Sequence, residues 1–150
     1  MLAARAVKAM SALTRALYER LAGDATLQGM LGTYRGQPAI FTAPPPGDAG
    51  EDAYPMIVTM GAVSDAPDDT KTSRGREVQR EITCYALADG TMATVEAVAE
   101  RVRKLLHRQP LAVEGWRVWL AEVSGPTLAE TSETVYGLAL TVRLRMEEVA

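Results

Sequence analysis

Three aspartates, Asp65, Asp68 and Asp69, stand close together in a polar stretch that also carries Lys71, Arg74 and Arg76. Carboxylates so spaced have two chemical uses. They can gather around a divalent cation, or they can join the neighbouring cations in a charged docking surface. A calcium-binding helix–loop–helix site needs a mid-loop glycine and a closing glutamate, and the spacing here does not supply them. From Ser64 to Gly75 there is almost no apolar side chain, so nothing offsets the entropy of ordering this stretch within its own subunit. A compact domain rarely keeps such a loop unless the loop binds something. The expectation is a partner surface rather than a reaction.

Other reactive side chains are sparse. His107 is the only histidine; it falls at a helix C-terminus, where the helix dipole favours a cation, and reads as structural. Cys84 is the only cysteine. One thiol allows neither an internal disulfide nor a thiolate zinc site within one chain, which fits a reducing compartment. It lies on the apolar face of a strand, the position of an inert buried thiol. No serine sits in a nucleophile elbow, and Gly29 to Gly36 does not form a phosphate cradle between strand and helix. With no convergent titratable set, neither catalysis nor a cofactor or metal is expected.

The elements that must position these residues follow from periodicity. Met10, Leu13, Leu17 and Leu21 recur at helical spacing, Gly23 stops that helix, and Asp24 caps a short turn through Leu27 and Met30. Pro38 to Thr42 reads as a short strand, and the proline-rich run from Ala43 to Asp52 as an exposed loop. Met56 to Val63 is apolar on both faces, which suggests a central strand or one covered on both sides. Glu77 to Leu87 alternates, with Val78, Ile82, Cys84 and Ala86 on one face and Arg80 intruding there. Thr91 is the expected cap of a helix striped by Met92, Val95, Val98, Val102, Leu105 and Leu106, ended by Pro110. Its Arg101, Arg103, Lys104 and Arg108 read as a solvated face.

Two strands close the chain. Gly115 to Val123 places Trp116, Val118 and Leu120 on one face and Trp119 opposite, one tryptophan for the core and one as a candidate interface anchor. Gly125-Pro126 marks a turn. The last strand alternates most clearly: Tyr136, Leu138, Leu140, Val142, Leu144 and Met146 on one side, Thr141, Arg143 and Arg145 on the other. The fold class is therefore α+β, a mostly antiparallel sheet of about 4–5 strands with two main helices packed on one face.

Length and composition set the outer bounds. The 150 residues, 47% hydrophobic, make one domain with a real core. A net charge of −3 gives no bulk attraction to nucleic acid or anionic membrane. No apolar run approaches the length that crosses a bilayer. Met1 to Met10 carries Arg5 and Lys8 among alanines but lacks the apolar core of a signal peptide, so it reads as the start of a helix or an extension.

In this arrangement the chain resembles the tail-terminator, or tail-completion, family of long-tailed bacteriophages and gene-transfer particles. The residues that carry the resemblance are Ala16-Leu17-Tyr18-Glu19-Arg20-Leu21 with Asp24-Ala25-Thr26-Leu27, then Tyr54-Pro55-Met56-Ile57-Val58, Asp69-Thr70-Lys71-Thr72 and Gly75-Arg76-Glu77-Val78. The helix from Ala97 to Leu106 and the closing strand complete the order.

That resemblance implies a structural virion protein without catalysis. Its partners would be further copies of itself in a hexameric ring, the tail tube protein below and the head-tail connector or stopper above. DNA would pass only as cargo, no membrane would be involved, and assembly would take place in the bacterial cytoplasm. The candidate contacts are Asp65, Asp68, Asp69, Lys71, Arg74 and Arg76 in the long loop, Thr141, Arg143 and Arg145 on the last strand, and the proline loop. A head-side neck protein and a small non-viral oligomeric binding module remain as alternatives.

Overall fold

In the computed structural model, which describes residues 11–149, Ser11 opens the first helix. Its hydroxyl accepts from the Thr14 amide at 3.2 Å, so one of the orphan donors of the first turn is satisfied. Helix α1 (Ala12–Ala22) buries Leu13, Ala16, Leu17 and Leu21. Met10 and the expected extension at 1–10 lie outside the described residues. The Asp24 carboxylate accepts from the Leu27 amide at 2.8 Å and starts the short α2 (Ala25–Met30). The same carboxylate takes a two-pronged bond from Arg101 at 2.7 and 2.9 Å. That bond, chiefly, holds the Asp24 carboxyl below the usual range.

Two short strands, β1 (Thr33–Tyr34) and β2 (Gln37–Pro38), pair in a separate hairpin. Arg35 and Gly36 at its tip both have positive φ, as a two-residue turn matched to strand twist requires. The main sheet has six strands in the order β3-β4-β5-β8-β7-β6. They are β3 (Ile40–Phe41), β4 (Met56–Pro67), β5 (Gly75–Leu87), β6 (Ala112–Val113), β7 (Trp116–Leu128) and β8 (Val135–Glu148). Helix α3 (Ala93–Leu106) lies between β5 and β6 in sequence.

The α+β class and the helix-covered face agree with expectation, but the sheet exceeds it. It has six strands rather than four or five, and β3 runs parallel to β4 while every other pair is antiparallel. The expected single strand from Pro38 to Thr42 is split, Pro38 pairing in the hairpin and Ile40–Phe41 in the sheet. At α3 the helix begins at Ala93, with Met92 in the cap position. Thr91 still contributes, its hydroxyl accepting from the Ala93 amide at 3.2 Å.

One face of β5 and β8 holds the core. Val78, Ile82, Cys84 and Ala86 of β5 and Leu138, Leu140, Val142, Leu144 and Met146 of β8 pack against α1 and α3. Each valine, isoleucine, leucine or methionine among them, fully buried, is worth roughly 1.5–3 kcal/mol, which makes β8 the centre of the fold. Burial pushes the Cys84 thiol up to about 12, so it has no thiolate to offer near neutrality. Arg80 intrudes on this face as the sequence indicates and is only 8% exposed. Its Nη1 donates to Thr14 Oγ1 at 3.0 Å and to the Met60 carbonyl at 3.4 Å. Burial lowers its pKa.

The opposite face is divided. At one end a second, smaller core of Ala39, Ala53, Met56 and Val58 is built by the segment that carries the proline run. The other end is left open, and there the charged residues collect.

Candidate functional site

The expected loop from Ser64 to Gly75 is mostly not a loop. Strand β4 continues to Pro67 and pairs in register with β5, Asp65 opposite Val78 and Pro67 opposite Arg76. The two strands form an arm whose tip is only residues 68–74. Polar residues form this arm because β5 is already fixed between β4 and β8 and offers its ladder of hydrogen bonds; the arm needs no apolar face of its own. The expected double covering of Met56 to Val63 also fails beyond Thr59. Met60 is 47% and Val63 64% exposed, because neither apolar core takes a side chain of this strand beyond Val58.

The arm's acids are used internally. Asp65 and Arg76 form an ion pair, with Nε to Oδ1 at 3.0 Å. Arg145 of β8 holds Asp68 with Nε and Nη2 at 2.9 and 3.1 Å. Asp69 Oδ1 accepts from the Gly75 amide at 3.0 Å. These arginine bonds hold the Asp65 and Asp68 carboxyls below their ordinary value. The three aspartates thus face three different donors and do not converge on a cation. The expectation that nothing orders this stretch within its own subunit is corrected by the same bonds. Lys71 and Arg74 remain exposed at the tip, without a carboxylate partner among the described residues.

Through Asp68 and Arg145 the arm joins the outer face of β8, so two of the three expected patches are one surface. Across it, Arg143 bonds Glu77 at 2.8 Å and approaches Glu122 at 3.5 Å, while Thr141 stands between Glu81 and Ser124. Trp119 is 46% exposed and lies under the Arg145 guanidinium, 4.3 Å from ring centre. Trp116 packs against the core, opposite Trp119 as expected. Leu120 is a correction. The register of β7 shifts between Val118 and Leu120, and this bulge turns Leu120 to the Arg145 side while Ala121 and Val123 enter the core.

The proline loop lies apart from this surface. Asp48 accepts from Tyr34 Oη at 2.7 Å and Arg35 at 3.1 Å, beside a cleft of about 290 Å³ that includes Tyr18, Phe41 and Pro44.

The two flanks of the sheet differ in a way the sequence did not disclose. Strand β6 covers only Trp116 and Arg117 of β7. Farther along, the end of α3 closes the edge of β7. The Arg108 amide donates to the Ala121 carbonyl at 2.8 Å, and the Val123 amide donates to His107 Nδ1 at 3.0 Å. Arg103 Nη1 donates to the Val123 and Gly125 carbonyls at 2.9 and 3.2 Å. His107 is structural as expected, whereas Arg101 and Arg103 are more than a solvated face. On the other flank, β4 from Met60 to Pro67 has no strand on its outer edge among the described residues.

Residues 15–147 match the family described as tail completion protein gp17. The chain belongs to that family. It is a family of virion tail structural proteins. No curated protein matches the sequence. Among solved structures, the chain is similar to one in the virion of a native gene transfer agent particle. The TM-score is 0.75 with 24% identity, over 90% of this chain and 94% of that one. It is also similar to the gp17 protein of bacteriophage SPP1, with a TM-score of 0.51 and 23% identity, over 100% and 93% of the two chains. At such identities these likenesses concern the fold.

Proposed function

We propose that this tail completion protein is a terminator. It forms a ring, a hexamer, on the head-proximal end of a tail tube, stops the addition of tube subunits and presents a surface to the head's connector. The observation that carries this reading is the unequal pair of flanks. A ring is built head to tail, so each copy needs two different surfaces. One flank is closed by α3, while the other is an open strand edge ending in an ordered, charged arm. The register of β4 shifts between Thr59 and Ala62 and again between Ala62 and Ser64. Such bulges deter indiscriminate edge pairing and leave the edge for a shaped partner. The open outer face carries Asp68, Glu77, Glu81 and Glu122 against Arg143 and Arg145. An acidic excess of that kind does not grip DNA passing nearby. The role uses no catalytic group and no cofactor.

The test is tail length, by negative-stain electron microscopy of particles made without this gene. Over-long tubes without heads are expected. Tails of normal length beside unattached filled heads would instead assign the protein to the head side of the neck. Complete particles would remove it from the virion and favour a separate binding module.

A further inference from the structure

The arm tip and the far end of the same sheet carry opposite, unused charge. At the tip, Asp65 is paired with Arg76 and Asp68 with Arg145, while Asp69 accepts only from the neutral Gly75 amide and keeps its charge. Lys71 and Arg74 outweigh that one carboxylate, so the tip is net cationic. The tip is held in shape before any partner arrives. The Thr70 amide donates to the Ser73 carbonyl at 2.9 Å and the Ser73 amide to Thr70 Oγ1 at 3.0 Å. Gly75 lies so close that an added Cβ would meet the Asp68 carbonyl at 2.2 Å. An ordered tip loses little entropy on docking.

At the other end, the turn joining β7 to β8 carries Glu130 and Glu133. Both are exposed, and neither has an ion pair among the described residues. This turn too is ordered. The Ser132 amide donates to the Val135 carbonyl at 2.8 Å, and Thr131 Oγ1 donates to the Ala129 carbonyl at 3.1 Å. It lies beside Leu87 and Ala88, at the opposite end of β5 from Gly75. Thirteen residues of strand separate the two ends, about 40 Å of contour. At physiological salt, charges are screened within about 8 Å. Neither end can neutralise the other within one molecule.

We propose that the cationic tip of one copy, Lys71 and Arg74, seats on the acidic turn of the next copy, Glu130 and Glu133. The contact joins two different surfaces of the same chain, so it propagates head to tail and closes only as a ring. It rests on the ring reading given above and adds the pair of surfaces that meet.

The test uses particles from cells whose only copy is a variant. Lys71→Cys combined with Glu133→Cys should, under a mild oxidant, give a ladder of disulfide-linked copies beyond the dimer. Either single variant should stay monomeric, because the native Cys84 is fully buried. In parallel, Lys71→Glu/Arg74→Glu and Glu130→Lys/Glu133→Lys should each cut the yield of normal-length tails about tenfold or more, and all four substitutions together should restore it. No ladder, while glutaraldehyde still links copies in the same particles, overturns this contact and leaves the ring standing. Tip reversals that the acidic-turn reversals fail to rescue do the same and assign the tip to another protein. No multimer even with glutaraldehyde removes the ring reading itself.

Discussion

The flank at β7 and the flank at β4 belong to one sheet and have been treated in opposite ways. At β7, backbone groups that would invite another strand are taken by His107, Arg108 and Arg103 from the end of α3. At β4, the edge beyond Thr59 is left bare and the strand runs on into an arm whose order comes from ion pairs rather than burial. A closed edge protects a fold against unwanted pairing. An open one in the same sheet is where the proposed ring contact would admit a partner. On that reading the difference assigns stability and assembly to separate sides of the molecule, and this separation can be tested.

The largest effect should come from breaking the closed flank at its sharpest point. Gly125 has a φ of +94°, and a Cβ there would meet the Ala139 carbonyl at 2.9 Å. Gly125→Ala should cost about 1–3 kcal/mol, read as a lower urea midpoint. Arg103→Ala should cost about 1–2 kcal/mol by freeing two edge carbonyls. Hydrogen exchange should then quicken in β7 while the arm is unaffected; equal quickening in the arm would mean the two flanks are one unit.

Acid should act on the other side. Arginine bonds hold the Asp65 and Asp68 carboxyls below their ordinary value. Their contribution is complete above the ordinary carboxylate range and is lost as pH falls through the depressed folded values. Arm amides should therefore lose protection in acid before those of the α3-clamped strand. Simultaneous loss would contradict the separation. The smallest effect on stability is expected at Val63, which is 64% exposed on the open flank. Val63→Asp should alter unfolding by no more than about 0.5 kcal/mol yet reduce tail termination. A change in unfolding with normal tails would reverse the assignment.

Much of the fold was legible in the sequence because burial imposes a period. The alternation of β8 and the faces of β5 could be read directly, and so could the intrusion of Arg80. The arm was not legible. Ser64 to Pro67 has the composition of a loop and becomes strand only because β5 supplies its partner. Leu120 was assigned to the wrong face because a bulge inserts one residue without a compositional mark. A strand over 38–42 was legible, but β3 is only two residues long and carries no period that would mark it as parallel. Among the candidate contact residues, the sequence shows the charges but not which of them pair within the subunit. Asp68 and Arg145 are 77 positions apart, and their pairing belongs to the topology. Arg103 looked like one solvated cation among several, and nothing in its neighbours signals that Val123 and Gly125 end beneath it.

The central place of β8 bears on how the protein is made. It pairs with β5 along one side and β7 along the other, so the middle of the sheet forms last, after the ribosome has delivered residues beyond 135. Until then β5 and β7 expose long unpaired edges. Because its key contacts join distant parts of the chain, folding should be slow for a domain of this size. A nascent or prematurely ended chain would be prone to pair with others of its kind. Only a chain that carries β8 fixes Arg145 against Asp68 and so sets the arm. On the ring reading proposed above, the order of synthesis would itself act as quality control, since a chain cut short of β8 lacks the Arg145–Asp68 pair that sets the arm.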